Sequence, residues 1–218
     1  MRLVREERGP VSAYVLTGDG EFEYRVLDTI VRHYDHSKML RWIGRGGAEV
    51  SYYRDYREKF VHAGAIGLEG VVRRLARLLD AKLGVSVNVY LVLIDREHVA
   101  NLDDVVDVMR EYGFDVISVA LPHPQHLKLR VRRGTREAII HFVVLGRRKS
   151  IEEHIAELIN TLYGANVSPV KKEIRRWLRE NNMNLHDVLE QASRRGLVKR
   201  IIPQLHTALT ELRNCKTG

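Results

Sequence analysis

The chain has little cysteine: Cys215 is its single one. This excludes an internal disulfide framework and any metal site built on thiolates, and points to a free thiol in a reducing compartment. No run approaches the roughly 18 apolar residues that span a membrane. The opening "MRLVREERGP" is charged and has no apolar segment behind it, so no membrane partner is expected and the expected location is cytoplasmic. Also missing are a G-x-S-x-G elbow, a Walker loop and a complete dinucleotide fingerprint, since Gly18-x-Gly20 lacks the rest of that pattern. There is no internal repeat and no low-complexity segment.

What is present is 218 residues, 44% hydrophobic and 29% charged, the composition of a folded globular protein. That length suits one large α/β domain, or a domain of about 160 residues with a helical appendage. Lys and Arg number 36 against 28 Asp and Glu, a net charge of +8. Such a charge suits a polyanionic partner, because neutralised phosphates release counterions. Basic enzymes that never touch nucleic acid share the same balance, so charge alone does not decide. Heavy Arg and Glu use with one Cys is compatible with a thermophilic source.

Periodicity divides the chain in two. "VSAYVLT" reads as a strand, and Phe22, Val26, Leu27, Ile30 and Val31 then recur at helical spacing. "MLRWIGRGGAEVSYY" holds an apolar run, a Gly46-Gly47 turn and a short strand. Leu68, Val71, Val72, Leu75, Leu78, Leu79 and Leu83 form a helical stripe, with Arg73, Arg74, Arg77 and Lys82 assigned to the other side. "VSVNVYLVLID" is the strongest strand and reads as buried on both faces. Asn101 caps a helix that stops at Gly113, then "FDVISVAL", "HLKLRVR" and "EAIIHFVVL" supply strands, the last two as a hairpin or strand pair around "RGT". Residues 1–146 therefore predict an α/β core, a mainly parallel sheet with helices on both faces. Residues 147–218 predict a C-terminal helical extension packed on or beside it, with Ser150 to Glu153 as a capping box and Ser168-Pro169 opening the next helix.

In such a sheet, sites form beyond the carboxyl ends of the strands. The first strand delivers Thr17, Gly18, Asp19 and Glu21, and the central strand delivers Asp95 and Glu97. A D-x-E pair on an extended segment sets two carboxylates about 7 Å apart on one side, where they can share a hard cation. The alternative is that Asp95 caps backbone donors and Glu97 is solvated. His123, His126, His141 and His154 are a competing set for zinc, or else His123 and His126 belong to a surface loop stiffened by Pro122 and Pro124.

Lys171, Lys172, Arg175, Arg176 and Arg179 occupy one side of a helix, where they can straddle a phosphate backbone or simply be solvated beside Glu173 and Glu180. Arg130, Arg132, Arg133 and Arg136, with Arg147, Arg148 and Lys149, could extend this patch. Tyr52, Tyr53 and Tyr56 with Arg54 and Arg57 form a candidate stacking surface for single strands.

The order of a strand ending in "TGDGE", a helix, a glycine-bearing segment, a helix and a strand ending in "LIDRE" resembles the Toprim domain of topoisomerases, primases and overcoming-lysogenization-defect nucleases, over roughly residues 11–145. The helical tail with "KKEIRRWLRENN" is similar to that of small Toprim-like proteins. The resemblance implies nucleic acid as partner and magnesium as cofactor, with Asp95 and Glu97 as metal ligands and Glu21 or Asp19 in the acid/base role of phosphodiester chemistry. Thr17 stands where the family's first Glu is expected. Either Asp19, Glu21 or Glu23 replaces it, or the fold serves binding or assembly without that chemistry. A protein partner or a homo-oligomer stays open.

Overall fold

A computed structural model describes residues 1–4, 13–18, 21–34, 39–43, 67–80 and 88–214. Within them the chain is α/β. Its strands are β1 (Arg2–Val4), β2 (Ala13–Thr17), β3 (Met39–Ile43), β4 (Val89–Asp95), β5 (Asp115–His123), β6 (His126–Arg133) and β7 (Arg136–Leu145). Its helices are α1 (Glu21–Val31), α2 (Leu68–Asp80), α3 (Leu102–Glu111), α4 (Glu152–Tyr163), α5 (Lys171–Glu180), α6 (Leu185–Arg194), α7 (Leu197–Ile201) and α8 (Pro203–Asn214).

The strands form one sheet in the order β1-β3-β2-β4-β7-β6-β5. The four pairings from β1 to β7 are parallel, whereas β6 pairs antiparallel with both β7 and β5. The sheet is therefore mixed rather than wholly parallel. A return from β5 through short turns to β6 and β7 can only be antiparallel, because a parallel neighbour needs a crossover long enough for a helix.

β4 sits between two parallel neighbours, and residues 90–95 are all buried. This is why its sequence is an unbroken apolar run. Alternation sends Leu91 and Leu93 to one face and Tyr90, Val92 and Ile94 to the other. The second face is covered by α2 and α3. The first is covered by α1 together with the helices beyond residue 150, whose Ile155, Leu158, Ile159, Val188, Leu189, Leu205 and Leu209 share one cluster with Val26, Leu27 and Ile30.

Polar contacts tie α1 to this helical layer. Thr29 Oγ1 lies 3.1 Å from His186 Nδ1, His33 pairs with Glu190 at 3.3 Å, and the Tyr34 hydroxyl is 2.6 Å from His206 Nδ1. Local reading misassigned a few side chains. Arg74, placed on the polar side of α2, is buried. The buried residues of α1 are Glu23, Val26, Leu27, Thr29, Ile30 and Val31, so its inner face carries a carboxylate. The strand proposed within residues 48–53 lies outside the described residues.

Candidate functional site

The parallel strands β2, β4 and β7 end side by side. Thr17 is in register with Leu93, and Asp95 with Leu145, so Asp95 projects past the end of β2. Gly18 follows β2 in close contact. Its N–H donates to the Leu93 carbonyl at 2.8 Å, and a Cβ there would lie 3.3 Å from Ile94 Cγ1. Thr17 itself is buried.

Asp95 is 5% exposed. Its Oδ1 accepts a 2.9 Å hydrogen bond from the Ile151 N–H, just before α4. Burial pushes its carboxyl up to about 8. The like charge of buried Glu23 adds to this, the Ile151 hydrogen bond works against it, and Glu152 and Glu97 add smaller repulsions. Asp95 is therefore largely protonated near neutral pH. Glu23 is the acidic residue of α1 that the fold turns toward Asp95, and its position one turn before Val26 and Leu27 in the buried stripe is the signal in the sequence.

The D-x-E pair does not lie on an extended segment. Residues Arg96–His98 form a single 3₁₀ turn directly after Asp95. Glu97 is thereby carried outward to 40% side-chain exposure, with its N–H on the Lys149 carbonyl at 2.8 Å and its carboxylate 3.8 Å from Lys149 Nζ. Asp19 lies outside the described residues, and of Glu21 only the backbone, at the start of α1, is described.

The loop between β7 and α4 wraps over this edge. It turns at Gly146, whose φ is +83° and whose missing Cβ would meet the Ser150 backbone at 2.5 Å. The capping box expected at Ser150–Glu153 takes another form, because Ile151 occupies the cap without a side-chain bond. Glu153 instead reaches back and accepts from the N–H groups of Arg147, Arg148 and Lys149 at 2.6, 2.9 and 2.9 Å. Desolvation would raise the Glu153 carboxyl, but these three donors outweigh it and hold it below its ordinary value. The loop amides thus converge on the chain's own carboxylate, and the Arg147, Arg148 and Lys149 side chains are exposed, Arg147 pairing with Glu157 at 2.7 Å.

An open groove of about 440 Å3 runs along α4, lined among others by Arg147, Glu153, Glu157, Val167 and Pro169. Two residues past Pro169 begins α5, two positions later than Ser168-Pro169 suggested. Asn160 explains the delay: its side-chain amide clamps the Val167 backbone at 2.7 and 3.1 Å, and Val170 stays extended. α5 buries Ile174 and rests Trp177 on Tyr163 at 5.2 Å. Lys171, Lys172, Arg175, Arg176 and Arg179 are all exposed. Lys171 Nζ stands 5.2 Å from the Phe22 ring, which brings the start of α5 against the start of α1. Arg176 pairs with Glu173, while Lys172, Arg175 and Arg179 enter no ion pair among the described residues.

The other arginines are not part of this edge. Arg130 and Arg132 both clamp Glu137, Arg133 binds Asp80 at 2.7 and 2.8 Å, and Arg136 donates to the Leu79 carbonyl. They lie at and beside the β6–β7 hairpin, at the opposite ends of the strands. Tyr52, Tyr53, Arg54, Tyr56 and Arg57 lie outside the described residues.

The histidines divide. His126 Nε2 and His141 Nδ1 are 3.0 Å apart and wholly buried, whereas His154 contacts Gln204 at 3.0 Å and His123 accepts from the Gln125 N–H at 3.1 Å. Desolvation lowers His126 to about 4 and His141 to about 3. Among the described residues, no group of three or more His, Cys, Asp or Glu side chains is arranged to hold a metal ion. Also among them, no helix is long and apolar enough to cross a membrane. Comparison of the chain with protein families, with curated proteins and with solved structures gives no match.

Proposed function

We propose that this chain is a Toprim-like nucleic-acid-binding protein whose contact surface is the exposed face of α5, continued by Arg148. The observation that carries the reading is the three cations Lys172, Arg175 and Arg179. They point to solvent in a row one turn apart, without an ion pair among the described residues. Unpaired cations at this spacing meet successive phosphates, whereas cations already paired within the chain, like Arg130 and Arg132, have less to gain. In this reading Asp95 and Glu153 are structural: they fasten the β7–α4 loop so that Arg148 faces the same partner. Fluorescence anisotropy with a labelled oligonucleotide tests it, with the K172A/R175A/R179A variant expected to bind at least 10-fold more weakly.

A second reading rests on the convergence of Asp95 and Glu23 at the carboxyl edge of parallel strands. Magnesium keeps several waters and is commonly bound through one or two carboxylates, and Asp95 and Glu23, with Glu97, Asp19 or Glu21, would supply them. The ion would neutralise charge on a phosphoryl group. This reading requires magnesium-dependent cleavage that Asp95→Asn abolishes.

A further inference from the structure

We infer that the chain forms a two-fold dimer by antiparallel pairing of β5 with β5 of a second copy, about an axis through Val119. Among the described residues, β5 is the terminal strand of the sheet and is bonded to β6 alone. Among the described residues, three of the four large apolar side chains that are exposed sit on it: Ile117, Val119 and Leu121, at 38%, 51% and 58% exposure. Solvent-facing edges are usually guarded by charge or shortness. This one is nine residues long and presents an aliphatic row.

The row complements itself. Val119 is in register with Leu129 and so lies on the sheet face that α2 and α3 cover, but beyond their reach. Ile117 and Leu121 flank it two residues away on either side. Pairing centred on Val119 sets Val119 against its own copy and brings Ile117 opposite Leu121 of the other chain, so each exposed aliphatic position falls opposite another. The register with β6 has two irregularities, between Val116 and Ser118 and between Ala120 and His123. They fall on either side of Val119, so a centred pairing brings bend opposite bend. A shift of one residue would set the aliphatic row against Ser118 and Ala120.

The ends complement each other as well. Asp115 falls opposite His123 of the second copy. Their registers with Arg132 and His126 put both on the other face of the sheet. His123 Nδ1 accepts from the Gln125 N–H, which leaves its proton on Nε2, free to donate to the Asp115 carboxylate. Pro122 has no N–H to offer, but it falls opposite Val116 near the end of the pairing, where one ladder bond matters least. The product is a continuous sheet that joins the seven described strands of each chain, with a two-fold axis perpendicular to it.

The experiment is light scattering on a size-exclusion column without nucleic acid, which separates it from the binding proposal. Wild type is expected at twice the 25.2 kDa chain mass. Val119→Lys puts two like charges on the axis and is expected to weaken the dimer at least 100-fold, giving monomer with an unchanged circular dichroism spectrum. Val119→Cys in a Cys215→Ser background is expected to form an intermolecular disulfide under mild oxidation, because only this register brings residue 119 against itself. A monomeric wild type overturns the inference. So does a dimer that survives Val119→Lys, or one that the introduced cysteine does not crosslink.

Discussion

Asp95 Oδ1 accepts the N–H of Ile151 across 56 positions of sequence, which fastens the end of the central strand to the start of the C-terminal helical layer. The bond is made by a carboxyl that burial keeps largely protonated at neutral pH. The loop that presents Arg147, Arg148 and Lys149 is held by this bond and by the three amides on Glu153. The cost of burying Asp95 is therefore a cost of shaping the surface.

That cost depends on pH. With a folded value of about 8 and an ordinary value of 3.8, the unfolded chain ionises first. Stability is fully present below about pH 4 as far as this group is concerned, and it falls as pH rises toward 8. Asp95→Asn keeps an oxygen for the Ile151 N–H and removes the titration. Thermal unfolding is expected to show the variant more stable by about 1–3 kcal/mol at pH 7.5, with the difference closing near pH 4. A variant less stable at every pH would mean that the ionised carboxylate is what the fold requires.

Magnesium separates the two functional readings. If Asp95 only shapes the loop, magnesium is expected to weaken oligonucleotide binding of wild type and of Asp95→Asn alike, by competing for phosphates, and Asp95→Asn is expected to bind within about 2-fold of wild type. A melting temperature that magnesium raises in wild type but not in Asp95→Asn would favour the metal reading, because a ligand of the native state stabilises it by mass action.

The β4, α3 and β7 elements were plain in the sequence because each carries its own signal: an unbroken apolar run, an Asn101 cap with a Gly113 stop, an apolar, β-branched run beside "RGT". The β6–β7 pair was legible around "RGT", but the antiparallel pairing of β5 with β6 was less so, since β5 reads as a strand whichever way its neighbour runs. The short strand β1 was missed, as three residues among charges give no period to count. At the site, Asp95 and the basic face of α5 could be read locally. The partnership of Glu23 with Asp95, and of Glu153 with three loop amides, could not, because each depends on segments brought together only by the sheet. The spelling S-I-E-E pointed to a cap on Ser150, yet the longer reach of Glu153 to the loop satisfies three donors rather than one.

The buried histidine pair gives the acid limb its shape. His126 and His141 sit beneath α8 beside Glu211 and Lys128, with Lys128 2.7 Å from Glu211 and His141 3.9 Å from it. Burial keeps both rings neutral, at about 4 and about 3. The unfolded chain takes up protons first, so stability present above about pH 6.5 is lost as pH falls toward 4. The double variant His126→Leu/His141→Leu removes both partners of one hydrogen bond and is expected to change stability at pH 7.5 by no more than about 1–2 kcal/mol. Its unfolding free energy is expected to fall less steeply than that of wild type between pH 6.5 and 4, and an equal slope would show that the pair is not what titrates.

The most direct measurement is the salt dependence of oligonucleotide binding. Each phosphate neutralised on a duplex contributes about 0.9 to the slope of log affinity against log salt. Removing Lys172, Arg175 and Arg179 together is expected to lower that slope by about 2–3 and to weaken binding similarly across sequences. An unchanged slope in the triple variant, or no binding by wild type at low salt, would contradict the proposal that this face of α5 receives nucleic acid.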